Sequence, residues 1–449
     1  MANIKLKKGL DIKIKGKPQN ETLPLNSRTY ALTASDFIGL SPIPKLLVNV
    51  GDEVKAGTPL FFDKKHPDIL YVSPVSGEVV EIRRAAKRAI DEVVILADNK
   101  MTYLPLERIR ISSASREEVV KHLQATGCWP FFRQRPFNII AHPNETPRDI
   151  FISGFDTAPL APDLNYVLEG QKDDFQAGVE VLRKLTKGKV HLSVNGAAPS
   201  SKTYSDIKGI ELHTFTGPHP AGCVGVQIHH IAPINKGDVV WTISPQDVLA
   251  LGRVFNHGQY NTERLVAVAG TCIKKPAYYK TYIGASVEGL VADNLTDEHV
   301  RFISGNVLSG KKVARNEHLG FYHQQLSVIE EGDKYEFFGW LLPSYPRPSL
   351  SRTFTGFLSP SKEYNVNTNT HGEHRAMVMT GAYEAVTPMD ILPMQLLKAI
   401  LANDLDMMEG LGIYEVVEED LALCEFVCPS KTYVQHILRE GLDIMQEQS

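Results

Sequence analysis

Two cysteines near the end of the chain have the spacing of iron–sulfur ligands. Cys424 and Cys428 stand in the stretch DLALCEFVCPSK, and Pro429 completes the Cys-Pro ending that many cluster-binding stretches share. A [4Fe–4S] cluster normally takes four cysteine thiolates, and the other cysteines lie far away in sequence. We therefore expect the pair to be packed helix residues, with no cluster.

A second stretch, ATGCWPFFRQRPF at residues 125–137, stands where an α/β layer would hold a phosphate group. A nucleotide or flavin site needs several glycines so that backbone N–H groups can approach the phosphate. This loop has one glycine among several aromatic residues. The pair His229-His230 has no third ligand at a metal-site spacing. The sequence therefore predicts neither a phosphate loop nor a metal centre.

The composition limits the classes to which the chain can belong. A length of 449 residues predicts about three domains. The 48 basic and 52 acidic residues give a net charge of −4, which argues against a nucleic-acid partner. The few cysteines favour a reduced, cytoplasmic chain, and no stretch resembles an export signal or a membrane span. We expect any work at a membrane to be peripheral.

The elements that would position these residues begin with a small all-β module at residues 46–82, where short apolar runs alternate with glycine and proline. Its GDEVKAG and SPVSGEV elements resemble the biotinyl/lipoyl-type barrel. Lys64 and Lys65 stand at a different offset from the modified lysine of a true carrier. We therefore expect a structural module that carries no lipoyl group.

Strands alternate with helices further along, which predicts a Rossmann-like α/β layer. Ser115 and Glu118 form a capping box ahead of a helix, and FNIIAH, DIFISG and KVHLSV have the character of strands. The segment from Arg264 predicts a β-grasp-like unit.

The C-terminal quarter predicts helices. One has an apolar face running from Ile391 to Leu401, and the last is capped by Ser430. The fold class is thus multi-domain α/β plus β. The expected domains are the N-terminal segment with the barrel module over 1–104, the Rossmann-like domain over 105–255, the β-grasp domain over 256–345, a connecting segment over 346–385 and the helical domain over 386–449.

Four long stretches, rich in rare residues, carry a resemblance to a known family. They are GPHPAGCVGVQIHHIAP at 217–233, VWTISPQDVLALGRVF at 240–255, DILPMQLLKAIL at 390–401 and EEDLALCEFVCPSK at 418–431. The chain resembles the A-subunit family of the Na⁺-translocating NADH:quinone oxidoreductase. That family is related to the C component of the Rnf complex and to the NADH-binding component of complex I. The resemblance implies a barrel-sandwich hybrid, a Rossmann-like domain, a β-grasp (SLBB) domain and a helical domain.

The resemblance also implies a cellular location, partner subunits and a reaction for the complex. The chain would be a peripheral subunit on the cytoplasmic face of the bacterial inner membrane, with subunits B, C, D, E and F as partners. That complex reduces ubiquinone with NADH and exports Na⁺, and its FAD, FMN and Fe–S groups are on other subunits. The isolated chain would then not be catalytic.

Cofactor-binding relatives show what this chain lacks. Where they carry C-x-x-C-x-x-C-x-x-x-C-P, the register of Cys424 and Cys428 puts Glu418 and Leu421 at the first two ligand positions. Their glycine-rich flavin loop is replaced by the aromatic loop at 127–132. The resemblance therefore implies a scaffold without a bound FMN or cluster.

An aromatic cleft without flavin could hold another flat ring, and ubiquinone is the candidate ligand. In this hypothesis Trp129, Phe131 and Phe132 stack on the quinone ring, and Arg133 or His142 donates a hydrogen bond to its carbonyl oxygens. The alternative for the aromatics is that they simply fill the core. The alternatives for the whole chain are a purely structural scaffold of the same complex and an Rnf-type FMN/Fe–S electron-entry protein.

Overall fold

The computed structural model describes residues 2–25, 27–198, 202–334, 337–338, 348, 355–359 and 361–448. The strands are β1 Asn3–Lys5, β2 Thr22–Leu23, β3 Thr29–Thr33, β4 Lys45–Leu46, β5 Glu53–Val54, β6 Pro59–Phe62, β7 Leu70–Val72, β8 Gly77–Arg84, β9 Ile90–Ala97, β10 Arg133–Arg135, β11 Ile139–Ile140, β12 Ile150–Ser153, β13 Val190–Asn195, β14 Glu211–Thr216, β15 Val240–Thr242, β16 Arg264–Ala269, β17 Ala277–Thr281, β18 Val300–Ser304, β19 Lys311–Val313 and β20 Gln325–Glu330. The helices are α1 Arg116–Ala125, α2 Leu164–Val167, α3 Lys172–Leu185, α4 Lys202–Ser205, α5 Val224–Ile231, α6 Pro245–His257, α7 Val287–Val291, α8 Ala382–Val386, α9 Pro393–Leu401, α10 Leu405–Gly410, α11 Glu418–Val427 and α12 Val434–Glu447.

A seven-stranded sheet in the order β1-β14-β13-β12-β15-β10-β11 forms the α/β unit. Five neighbouring strands of this sheet run parallel to one another: β1, β14, β13, β12 and β15. Strands β10 and β11 add antiparallel strands at the edge beside β15. Helices α3 and α6 pack closely because both carry a glycine at the contact. A Cβ on Gly178 would overlap the Val248 carbonyl oxygen, and one on Gly252 would overlap that of Asp174.

Two smaller β units precede and follow this sheet. The strands β3-β9-β8-β5 and β4-β6-β7 form two sheets that share a buried core including Leu60, Phe61 and Val93. Later in the chain, β19-β18-β20-β16-β17 form a mixed sheet in which β16 and β20 are parallel neighbours, with α7 between β17 and β18.

The N-terminal segment joins two sheets that are made mainly by distant residues. Strand β1 pairs in parallel with β14, with Asn3 opposite Thr214, and β2 pairs with β17, with Thr22 opposite Tyr278. The first strands of the chain therefore complete the α/β sheet and the mixed sheet, while β3 to β9 build the barrel-like unit.

Helices α8 to α12 form the helical unit, and two predictions about its helices are wrong. Ile391 lies before α9, and Leu401 at the end of α9 is exposed. Ser430 does not cap α12, because its Oγ donates to the Ala376 carbonyl oxygen and the helix begins at Val434 without a side-chain cap. Within the described ranges, no helix is both long and apolar enough to cross a membrane.

Candidate functional site

A cavity of about 550 Å³ opens where the α/β unit, the mixed sheet and the helical unit meet. Strands β12 and β15, and the loop between β14 and α5, contribute lining residues at their carboxyl ends, including Ser153, Thr242 and Gly222. The chain adds β13 and β14 on one side of β12 and then β15 on the other. Ligands of open α/β sheets bind at such a reversal of strand order, so this cavity is the candidate site.

One end of the cavity combines aromatic rings with a cation. The Arg133 guanidinium lies over the Tyr322 ring, 5.1 Å from its centroid, and Tyr322 donates a hydrogen bond from its hydroxyl to the Pro130 carbonyl oxygen at 2.7 Å. Burial raises the pKa of Tyr322, which therefore stays protonated. Within the described ranges, no carboxylate lies within 4.0 Å of the Arg133 guanidinium. Its N–H groups therefore remain available to an acceptor in the cavity.

Two titratable groups line the same end. Burial raises the pKa of Asp36 to about 6, although its Oδ2 accepts a hydrogen bond from the Phe321 backbone N–H. Burial and the positive charge of Arg133 lower the pKa of His323 to about 4, so its imidazole is neutral near pH 7. Ser304 Oγ accepts from the Gly320 N–H and is 2.8 Å from His323 Nδ1. If Ser304 donates to Nδ1, the imidazole proton is on Nε2.

An ion-pair network between two units contributes Arg135 and Glu419 to the cavity lining. Arg135 of β10 is bonded to Glu419 at 2.5 Å and to Asp420 at 2.6 Å, both on α11, and the side chains of Arg135 and Asp420 are almost fully buried. Burial lowers the pKa of Arg135, but the two carboxylates outweigh this and raise it above its ordinary value. Cys223 lines the cavity beside them. Burial and these carboxylates raise the pKa of its thiol well above its usual range, so it stays uncharged.

The structure separates the five residues of the quinone hypothesis. Phe131 and Arg133 line the cavity, whereas Trp129 and Phe132 are fully buried and do not. Trp129 donates from Nε1 to the Ala141 carbonyl oxygen, and both rings pack against Trp241. These two residues therefore pack in the core. His142 lies beside a separate small pocket, with its ring 5.6 Å from that of His66.

Cys424 and Cys428 lie inside the helical unit. Cys424 Sγ is 3.3 Å from Thr387 Oγ1, and Cys428 Sγ accepts a hydrogen bond from the Tyr383 hydroxyl at 2.9 Å. No group of three or more histidine, cysteine or acidic residues with metal-binding geometry occurs in the part of the chain that the structure describes. Two thiols with these neighbours do not fit the four-thiolate requirement of a [4Fe–4S] cluster.

The histidine pair connects two units. His229 Nδ1 is 2.7 Å from Glu415 Oε2, and its Nε2 accepts from the Asp390 N–H. His230 Nε2 lies 2.8 Å from the Pro388 carbonyl oxygen. These contacts join α5 to the helical unit.

Sequence reasoning missed the cavity residues that come from other units. Asp36 follows β3, and Tyr322 and His323 precede β20, nearly 300 residues away in the chain. The run GFYHQQ at 320–325, which has several polar or aromatic residues with ring or amide groups before a strand, was the available signal.

Family models agree with this architecture. Residues 4–98 match the family model described as the NqrA N-terminal barrel-sandwich hybrid domain, and residues 114–260 match the NqrA second alpha/beta domain. Residues 265–315 match the NQRA C-terminal domain, of the SLBB type. Among solved structures, chains of an NAD⁺-reducing [NiFe]-hydrogenase are similar at 11% and 12% identity. The match at 11% identity has a TM-score of 0.36 and covers 76% of this chain and 66% of the hydrogenase chain. The match at 12% identity has a TM-score of 0.34 and covers 51% of this chain and 52% of the hydrogenase chain.

Curated relatives match over the full length. The chain is 41% identical to the A-type subunit of the Na⁺-translocating NADH-quinone reductase of Rhodopirellula baltica, over 99% of this chain and 98% of that one. It is 40% identical to the corresponding protein of Vibrio atlanticus and 41% identical to that of Shewanella frigidimarina, each over 99% of this chain and 100% of the relative. The chain therefore belongs to the A-subunit family of Na⁺-translocating NADH-quinone reductases.

Proposed function

We propose that this chain is a peripheral subunit of a Na⁺-translocating NADH:ubiquinone reductase and that its cavity binds the quinone. The observation that carries the proposal is the Arg133 guanidinium, which faces an aromatic-walled cavity without a carboxylate partner among the described residues. A quinone ring is flat and apolar and has two carbonyl acceptors, so it needs a slot of this kind with one or two donors.

The ring would lie beside Tyr322 rather than on the three loop aromatics that the sequence suggested. Phe131 already stacks against Tyr260 and Phe321, with ring centroids 6.2 and 5.5 Å apart. The side chains of Ile139 and Ile140 supply apolar wall. Arg133 would donate to one carbonyl oxygen, and a neutral His323 protonated on Nε2 is the candidate donor for the other.

Asp36 is the candidate for exchanging protons with the cavity. Formation of a quinol takes up two protons, and a group with a pKa of about 6 can both hold and release a proton near neutral pH. The chain would carry neither FMN nor an iron–sulfur cluster, so electrons would come from other subunits of the complex. Subunits B to F, at the cytoplasmic face of the inner membrane, are the proposed partners.

A titration of the purified chain with a short-chain ubiquinone tests the proposal. Trp241 precedes Thr242 of the cavity wall, so its fluorescence should report binding. Loss of one charge-assisted hydrogen bond, about 1.5–3 kcal/mol, should raise the dissociation constant of Arg133→Gln at least about tenfold. Arg110→Gln, an equal change of charge at an exposed residue outside the cavity, should bind like the parent, and FMN should not bind.

The alternative function, a scaffold without a quinone site, gives a different result. It predicts no saturable quenching in the parent chain. Equal affinities of the parent and Arg133→Gln would instead place the quinone outside this cavity.

A further inference from the structure

The first residues of the chain form a strip of exposed lysines, which we name the basic strip: Lys5, Lys7, Lys8, Lys15 and Lys17. None of these five ammonium groups forms an ion pair within the described residues. Residues 2–20 contain six lysines and one acidic residue, Asp11, whereas the whole chain has a net charge of −4. The positive charge is therefore concentrated in one segment of an otherwise acidic protein.

Packing fixes the basic strip in place. Leu6, Ile12 and Ile14, which are interspersed among the lysines, are buried in the core shared with the helical unit. The Leu6 N–H donates to the Thr216 carbonyl oxygen, and the Lys15 N–H donates to that of Tyr364. Because the backbone is held on both sides of Asp11, the lysines are presented to solvent without loss of backbone entropy on binding.

Exposed apolar side chains lie next to the basic strip. Tyr364 forms a β-bridge with Ile14 of the basic segment. The Tyr364 hydroxyl also donates to the Gly356 carbonyl oxygen at 3.2 Å, which holds the turn Thr355–Leu358 close to that segment. In that turn, the residues Phe357 and Leu358 are 45% and 67% exposed. Lysines beside protruding Phe and Leu side chains are the combination found on proteins that lie at a lipid–water interface.

We propose that the basic strip, with Phe357 and Leu358, binds directly to a membrane surface that contains anionic lipid. The lysines would lie among the headgroups, and the two apolar side chains would enter the interface. This proposal does not depend on quinone binding in the cavity. A contact of this kind adds to any attachment through partner subunits, because each lysine near an anionic surface strengthens binding about fivefold.

Sedimentation of the full chain with lipid vesicles tests the proposal. The parent should bind vesicles of phosphatidylglycerol and phosphatidylcholine and should bind pure phosphatidylcholine vesicles at least about tenfold more weakly. The double variant Lys7→Gln/Lys15→Gln should bind the anionic vesicles about 25-fold more weakly than the parent, from about fivefold for each lysine. A matched control, Lys100→Gln/Lys121→Gln, changes the same charge on the barrel-like unit and on α1 and should bind like the parent.

High salt separates the two parts of the surface. At about 0.5 M NaCl the lysine attraction is screened, so the parent and Lys7→Gln/Lys15→Gln should converge, while Leu358→Ala should then bind more weakly than both. Parent binding that is equal on the two kinds of vesicle, or absent from both, would overturn the proposal. Absence would instead fit a basic strip that docks on an acidic protein. Equal loss in both lysine double variants would also overturn it, because net charge rather than this segment would then drive binding.

Discussion

The pairing of Arg135 with Asp420 predicts a large effect of a single substitution. The two side chains are 1% and 0% exposed and belong to different units, the α/β sheet and helix α11. Arg135→Met removes the cation and leaves the Asp420 carboxylate buried without its partner. Breaking a buried pair in this way costs about 3–5 kcal/mol, because the remaining charge keeps its desolvation penalty.

The expected cost does not include Glu419. That carboxylate also contacts Arg135, but its side chain is 35% exposed, so water can solvate it after the substitution. By contrast, Lys172→Met breaks an ion pair with Asp206 whose members are 49% and 59% exposed. Surface pairs of this kind contribute about 0–1 kcal/mol, which makes Lys172→Met the matched control.

Native-state hydrogen exchange of the α11 amides is the appropriate assay, because it reports the free energy of opening for one unit of a multi-domain chain. Arg135→Met should lower that free energy by about 3 kcal/mol or more, and Lys172→Met by less than about 1 kcal/mol. The double variant Arg135→Met/Asp420→Leu should recover most of the loss, since it leaves no buried charge. A single variant within about 1 kcal/mol of the parent, or a double variant no better than the single one, would refute the reasoning.

Two further predictions concern the α/β unit. Burial would raise the pKa of Asp149, but hydrogen bonds from His191, the Lys189 N–H and Arg148 lower it to about 2, so its contribution to stability is present above pH 3.8 and lost as the pH falls towards 2. Asp149→Asn should therefore flatten the decline in the free energy of unfolding between pH 4 and 2 in urea titrations, and an unchanged slope would contradict this. Gly252→Ala should destabilise the chain by about 1–3 kcal/mol in thermal or urea unfolding, because the added methyl group meets the Asp174 carbonyl oxygen of α3. Wild-type stability in that variant would show that the two helices can separate without cost.

Local signals in the sequence predicted local structure well. Ser115 accepts from the Glu118 N–H, and Glu118 accepts from the Ser115 N–H, as the capping-box spacing predicted. Ser430 has the same type of side chain, but a tertiary contact with Ala376 takes its hydroxyl, so the predicted cap is absent. A helix cap forms between residues that are close in sequence, whereas the groups that compete for the hydroxyl of the capping residue can come from any part of the chain.

The cavity shows the same limit. The sequence showed three aromatic residues in one loop, but it could not tell which ring would face the core. Trp129 turns inward because Trp241, over 100 residues later, offers an edge-on partner 5.4 Å away. Tyr322, the ring that faces Arg133, comes from the turn before β20 of the mixed sheet. Patterns of residue type and spacing predict secondary-structure elements. Which side chains line the same cavity is decided only by the packing of the units against one another.

The position of strand β1 has a consequence for how this protein is made. Its partner strand is Glu211–Thr216, so β1 has no place in its sheet until more than 200 further residues have been synthesised. Strand β2, in which Thr22 lies opposite Tyr278 of β17, can pair only after still more residues have been synthesised. We expect the barrel-like unit of β3 to β9, whose pairings are local, to fold first during translation, while the lysine-rich leading segment stays unpaired. That charge keeps the waiting segment soluble until its partners emerge.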